Sequence, residues 1–398
     1  MKRLLLITLL AACRLLPTSA ADAEMPIIAF NGVPSWQTAD AHFLTFSECG
    51  FNVSLAPYPS LDQLVKACRS AERSGVRVLG RCPEMVSNPT LAARTLKQER
   101  GFYGYYMQDE PSVAEIHERQ KEIERLATTD MTHVFYINLF PCYREDWIQS
   151  ATKAKTYPEY LRAALATSCQ QLSFDFYPVT TGGLRPTWYH NLEMVRSESL
   201  AAGKPFWGFV LSVPHDVPFT PATYYPTPTL PALRLQVYAN LAYGAQAIQY
   251  FTYWTPAPGR FNYHDAPVDM NGRKTATYAT VQQMNRELRS VARLFYGSRV
   301  LTVGHLGDIP QGTTRQTEMP LNIRSLRISG RRGAIVSQLE KDGHRYLAVV
   351  NKDHERRMTV RIRTQNDTPR HLTKTLQEEP MKQSYTVAAG DILLFRLK

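Results

Sequence analysis

Two adjacent carboxyl side chains, Asp109 and Glu110, stand before a proline in the run Tyr106-Met107-Gln108-Asp109-Glu110-Pro111. Pro111 ends the apolar run that precedes it. Ser112-Val113-Ala114-Glu115 has the spacing of a capping box that opens a helix. The two acids are therefore pinned at a strand-to-helix corner, and Ser112 already supplies the cap. Paired carboxyl groups can do general acid/base work, one held protonated to donate and the other ionised to attack or to activate water. Asp109 beside Glu110 supplies a like charge of the kind that keeps a neighbouring acid protonated near neutral pH. The plainer alternative is an acid that braces the helix or binds an arginine. No metal site is expected, because there is no His-x-His on the first apolar run and no His-Glu-x-x-His. No cofactor motif is present either, since no G-x-G-x-x-G follows the first apolar run.

The elements that must position these acids recur along the chain. Strand-like apolar runs lie at Pro26-Phe30, Asn52-Ala56, Val76-Arg81, Gly101-Met107, Thr132-Leu139, Gln171-Tyr177, Pro205-Ser212 and Ala245-Tyr253. Between them, Leu61-Ser74, Ser112-Thr128, Tyr157-Ser168, Asn191-Ala202 and Leu230-Tyr243 carry helical spacing, and Thr275-Phe295 follows the last run. Near-continuous apolar strands are expected where both faces are buried. Eight β-then-α units predict an α/β fold, a (β/α)8 barrel over residues 25–296, in preference to a doubly wound open sheet. Glu110 then sits at the end of the fourth strand, at the barrel mouth. Beyond Arg293 short alternating runs separated by Gly, Asn, Asp and Lys predict a small antiparallel β-sandwich over 297–398. The Pro-rich stretch Val213-Pro231 reads as a long loop after the seventh strand, and such loops in compact barrels are usually functional.

Residues 1–23 read as an export signal: Lys2 and Arg3, the apolar run Leu4 to Ala12, then small residues. Ala21-Asp22-Ala23 offers a cleavage site for a soluble product. Leu10-Ala11-Ala12-Cys13 reads instead as a lipobox that would leave Cys13 lipidated and the protein anchored to a membrane. Arg14 interrupts the apolar core and favours the shorter reading. The expected location is periplasmic, extracellular or at the cell surface. Cys49, Cys68, Cys82, Cys142 and Cys169 are scattered and odd in number, so core thiols with at most one pair are expected. The net charge is +11, and residues 311–398 hold 17 Lys/Arg against 9 Asp/Glu, a net +8. These charges alternate with apolar residues as on solvated strand faces, which argues against a nucleic-acid surface. They are also suited to anionic surfaces or acidic glycans.

Here a resemblance becomes specific. Asp109-Glu110-Pro111 at the fourth strand end resembles the Asn-Glu-Pro of the barrel glycosidase clan that includes the β-galactosidases, with Asp for Asn. Gly244-Ala245-Gln246-Ala247-Ile248-Gln249-Tyr250-Phe251-Thr252-Tyr253-Trp254 resembles that clan's eighth strand, which ends in an aromatic residue flooring the sugar site. Asn271-Gly272-Arg273-Lys274-Thr275, with Tyr278 and Asn285-Arg286-Glu287-Leu288, resembles the linker and last helix of β-galactosidase-like members. The resemblance implies a carbohydrate substrate, glycosidic hydrolysis, and Glu110 as the general acid/base. It also implies a nucleophilic Glu at the end of the seventh strand. This chain has none there: the strand reads Pro205-Phe206-Trp207-Gly208-Phe209-Val210-Leu211-Ser212-Val213-Pro214-His215-Asp216. Two carboxyl groups are usually needed. Asp175, in Phe174-Asp175-Phe176-Tyr177-Pro178, ranks first as the partner, Asp216 second, and Asp109 third. Consecutive strand residues face opposite ways, so Asp109 could share one sugar with Glu110 only at an irregular corner.

Aromatic residues near strand ends, Trp36, Tyr58, Tyr177 and Trp254, can stack on sugar faces, although any one of them can equally be core. Asn31, Asn138 and His215 are candidate partners for sugar hydroxyls. Two functions follow: a glycoside hydrolase, or a surface barrel that binds glycan without cutting it, as the missing seventh-strand Glu would allow. Oligomeric state is not legible.

Overall fold

The computed structural model describes residues 24–185, 187–218 and 224–398. The proposed signal and Cys13 lie outside them. Eight parallel strands close into a barrel in chain order: Ile27–Phe30, Val53–Pro57, Arg77–Arg81, Phe102–Asp109, Val134–Leu139, Leu172–Phe174, Phe206–Leu211 and Ala247–Phe251, the last pairing with the first. Each matches one predicted run. Alternation along the strands divides the core in two. Ile28, Val53, Leu55, Leu79, Tyr136, Trp207 and Ala247 fill the barrel interior, while Ile27, Ala29, Val78, Tyr105, Ile137 and Val210 face the helical ring.

The helices follow in turn, with Ser112 capping Val113–Ala127 through a reciprocal box with Glu115 as expected. The chain makes extra pieces at the mouth. A hairpin of Val179–Thr180 and Gly183–Leu184 follows the sixth strand. His215–Asp216, after the seventh, pairs antiparallel with Asn262–Tyr263, after the eighth.

The barrel is followed by a six-stranded sheet (Arg299–Leu306, Ala334–Lys341, His344–Asn351, Ile392–Arg396, Arg370–Leu372 and Glu378–Glu379) and a three-stranded sheet (Ile323–Ser329, Met358–Thr364 and Ser384–Val387), all antiparallel. Alternation again assigns the faces. Val336, Leu347, Val349 and Phe395 pack inside the sandwich, while Ile335, Leu339, Ala348 and Leu394 join the barrel core. The seventh-unit helix Leu230–Tyr243 is thereby covered by barrel and sheet, which explains why it is apolar nearly all round. Arg299–Leu306 is a strand that the alternation did not single out. Its buried Val300 and Val303 are set among a Gly, a His and an Arg, and pairing with Ala334–Lys341 makes it a strand. The five cysteines from Cys49 to Cys169 are buried free thiols, with no pair among the described residues. No described helix is long and apolar enough to cross a membrane.

Candidate active site

The fourth strand carries an irregularity that decides its end. Tyr106 pairs with Tyr136, but Gln108 pairs with Ile137 and Asp109 with Asn138, so Met107 is an extra residue. Such a bulge reverses the facing of everything after it. Met107 packs outward in the helical layer, and the side chain of Gln108 reaches Glu115 on the following helix at 3.0 Å. Asp109 is thereby turned into the mouth beside Asn138. Glu110 follows in the left-handed region at φ 47°, its N–H donating to the Asn138 carbonyl at 2.9 Å. A non-glycine residue at such an angle is held there by its surroundings. Here they are the strand hydrogen bond and the Pro111 carbonyl, which accepts from Tyr160 at 2.7 Å. The irregular corner that lets both neighbours face one site is therefore present.

Both acids and Asp175 line a cavity of about 540 Å3 at the C-terminal mouth. Phe30, Phe209 and Phe251 form apolar surface; Tyr143, Trp147, Tyr177 and Tyr263 bring aromatic rings. A hydrogen-bond chain climbs to the acids from the barrel interior. Tyr136 donates to Gln249 (2.7 Å), Gln249 to Ser173 (2.8 Å), and Ser173 to Asn138 Oδ1 (2.9 Å). This orients the Asn138 amide so that Nδ2 donates to Asp109 at 3.0 Å and to Asp175 at 3.2 Å. Sharing one nitrogen keeps those two carboxyl oxygens within about 6.2 Å of each other. Asp175 is 7 % exposed. Solvent in the cavity reaches Asp109 although protein surrounds it.

All three carboxyls are pushed up. Desolvation raises Asp109 to about 6, against the bond from Asn138. Glu110 is raised furthest, by desolvation and then by the charges of Asp175 and Asp109. Desolvation and Asp109 raise Asp175, while Asn138 and Tyr177 bond to its anion and hold it back. Glu110 is thus the group most readily protonated, and the three titrate as an interacting set.

Other expected residues fall in two groups. Asn138, Tyr177 and His215 line the cavity. Burial drives His215 down to about 4, so its imidazole is neutral, with Nδ1 3.1 Å from the Val213 carbonyl. Asp216, Trp36, Asn31 and Trp254 do not line it. Asp216 faces Asn262 (2.9 Å) on the neighbouring strand of the small sheet and His264 (3.3 Å) just after it. Trp36 is 73 % exposed. Asn31 turns at φ 46° and binds the Trp254 N–H through its carbonyl. Trp254 is buried against His42 and the Gly272 turn, and Phe251, three residues earlier, is the aromatic that the eighth strand presents. Tyr58 is likewise core. The seventh strand brings Phe209 to the cavity, and Ser212 bonds to the Thr252 carbonyl, so this wall is apolar. Sequence reasoning missed Gln249, Ser173, Tyr143, Arg185, Arg260 and Tyr263. Position after a strand end was the available signal for Tyr143, Arg185, Arg260 and Tyr263, and for Ser173 and Gln249, inside their strands, there was none. A second cavity, of about 590 Å3, lies at the seam with the sandwich, where its one carboxyl, Glu355, is paired with Arg331. It has no convergent acids. Among the described residues no His/Cys/Asp/Glu group could hold a metal ion.

A closed eight-stranded parallel barrel with carboxyls at the C-terminal mouth, extended by a β-rich domain, is a TIM barrel of the architecture that solved glycoside hydrolases share. More particularly, the chain is similar to the GH42 β-galactosidases: the Glyco_hydro_42 (beta-galactosidase) family model matches residues 121–291, from the fourth-unit helix into the last barrel helix. The Asp109-Glu110 corner lies outside that match. No curated protein matches the sequence. Among solved structures, a catalytic mutant of a GH42 beta-galactosidase from G. stearothermophilus aligns with TM-score 0.63 at 7 % identity, over 94 % of this chain and 98 % of the other. The beta-galactosidase of Bacillus circulans sp. alkalophilus aligns with TM-score 0.61 at 9 % identity, over 94 % and 99 %. A glycoside hydrolase family 5 protein from Bacteroides vulgatus aligns with TM-score 0.58 at 11 % identity, over 94 % and 89 %. At such identities the likeness is one of fold.

Proposed function

We propose that this protein hydrolyses a glycosidic bond at the barrel mouth, with Glu110 as general acid and Asp175 as the partner carboxylate. The observation that carries the reading is the convergence of Asp109, Glu110 and Asp175 on one aromatic-lined cavity, with Glu110 raised furthest. A protonated Glu110 donates to the leaving oxygen as the bond breaks. Asp175, whose anion is supported by Asn138 and Tyr177, attacks the sugar or activates water in place of the absent seventh-strand acid. Asp109 keeps Glu110 protonated by repulsion and, bonded by Asn138, stays fixed beside it. The aromatic rings take the apolar faces of the sugar.

The test is a screen of the protein against aryl glycosides and plant, host and microbial polysaccharides, followed by Glu110→Gln and Asp175→Asn on the best substrate. Each variant should lose about 10²–10⁴-fold in turnover while oligosaccharide binding survives. Unchanged turnover in Glu110→Gln would refute the assignment. The apolar end of the seventh strand favours one other reading, a barrel that binds glycan without cutting it. Wild-type protein that binds an oligosaccharide yet releases no reducing ends from it would establish that reading instead.

A further inference from the structure

One wall of the same cavity holds a cation that the acids do not use. Arg185 follows the hairpin after the sixth strand, anchored by its N–H to the Pro178 carbonyl at 2.8 Å. Its guanidinium carbon lies 4.4 Å from the ring centre of Tyr143 and 5.3 and 5.4 Å from those of Tyr224 and Tyr225. Loops after the fifth, sixth and seventh strands thus meet on this one side chain. One terminal nitrogen donates to the Tyr224 hydroxyl at 2.8 Å; the other, Nη1, is buried with no acceptor among the described residues. Among the described residues no carboxylate lies within 4.0 Å of it. Nor does its charge offset the raised Asp109 and Glu110, whose shifts come from desolvation and, for Glu110, from the other carboxyls. Arg260, also on the lining, rests over Phe261 at 5.7 Å and likewise has no described carboxylate in ion-pair range.

A partly buried guanidinium without a counter-charge is costly, and ring stacking offsets only part of that cost. Its planar fork matches a carboxylate or a sulfate far better than a neutral hydroxyl. We propose that this wall is a subsite for an anionic sugar, a uronosyl or sulfated residue whose negative group pairs with Arg185, with Arg260 at the opening. The proposal deepens the hydrolase reading and rests on it for the identity of the cavity as a sugar site. The chain's net charge of +11 would steer such an anionic polymer to the protein.

The test uses the Glu110→Gln protein, which should bind without cutting, and calorimetry with three sets of oligosaccharides. These are a uronosyl-containing set, the same set after reduction of its carboxyls to neutral alcohols, and a sulfated set. At least one anionic set should bind, and the reduced set should bind about 10- to 100-fold more weakly than its parent if the anion is a carboxylate. Binding confined to the sulfated set would uphold the site and identify the anion. Arg185→Gln in the same background should lose about 10- to 100-fold for the preferred anion and leave neutral ligands nearly unchanged. Arg185→Lys should fall between, keeping the charge without the fork, and Arg260→Gln should cost only about 2- to 5-fold at its exposed position. Should Arg185→Gln not fold, the Lys and Arg260 variants carry the comparison. The proposal is overturned if neutral oligosaccharides bind as tightly as anionic ones, if no anionic set binds, or if the Arg185 variants keep the preference. Hydrolysis is scored separately on wild-type protein. Anionic ligands bound but never cut would remove the hydrolase reading and leave the subsite standing; a neutral substrate cut without anion preference would do the reverse.

Discussion

Asn138 offers the sharpest test of how the acids are set. Replacing it with leucine, of similar volume, removes the donor that reaches Asp109 at 3.0 Å and Asp175 at 3.2 Å, and removes the acceptor for Ser173. A hydrogen bond to a charged group contributes about 1.5–3 kcal/mol, and one pKa unit corresponds to about 1.4 kcal/mol. Asp175 is 7 % exposed, so little water is there to replace the lost bond, and its carboxyl should rise by about one to two units. Asp109, which cavity water reaches, should rise less. The sign follows from the bond: Asn138 stabilises the anion, so its loss favours the acid form. The reaction needs Asp175 ionised, and the acidic limb of the kcat/KM profile should therefore move to higher pH by about one unit or more. At the top of the profile the rate should fall only a few-fold. The assay is kcat/KM from about pH 4 to 10 on the best substrate from the screen, with thermal unfolding measured in parallel. If activity drops by the same factor at every pH and the acidic limb stays in place, Asn138 only shapes the mouth, and the assignment of Asp175 as the working anion is wrong.

The left-handed turn at Glu110 makes a second prediction. Glu110→Gly should abolish turnover yet leave the fold as stable as wild type or up to about 1 kcal/mol more stable, since glycine adopts φ 47° without a steric cost and a desolvated carboxyl is removed. A large loss in Tm would show that the corner needs the side chain. At the barrel–sandwich seam, burial pushes Glu287 up, but Arg234 and Lys374, both bonded at 2.8 Å, outweigh it and hold the carboxyl near 2. A depressed pKa stabilises the fold above the unfolded value, and that contribution, about 3 kcal/mol, is lost as pH falls from about 4.5 through 2. Glu287→Gln should therefore destabilise the protein at neutral pH by a similar amount and flatten its acid unfolding curve; an unchanged curve would refute the pairing.

The barrel was legible because its strands advertise themselves. Parallel strands buried on both sides must be apolar at nearly every position, and eight such runs separated by helical spacing leave little other choice of fold. The corner at Pro111 and Ser112 was legible for a local reason, since proline and the capping box act within four residues. The sandwich was read from period-two alternation, except for Arg299–Leu306, whose own composition is weak and whose strand character comes from its partner.

The site divides in the same way. Residue type and chain position were enough to bring Glu110, Asp175, Asn138 and Tyr177 to the barrel mouth. Which way a side chain faces was not, because facing depends on register with a neighbouring strand. One extra residue at Met107, visible only in the pairing with Val134–Leu139, turns Asp109 into the cavity and lets it share a site with Glu110. The same kind of decision puts Phe251 rather than Trp254 at the mouth, gives Asp216 to His264 and Asn262, and leaves Trp36 in solvent. Arg185 stands out only once three loops, far apart in sequence, close around it with no carboxylate of the described residues in ion-pair range. Local chemistry and periodicity are written in the chain, whereas register, facing and the company of a charge arise only when distant segments meet.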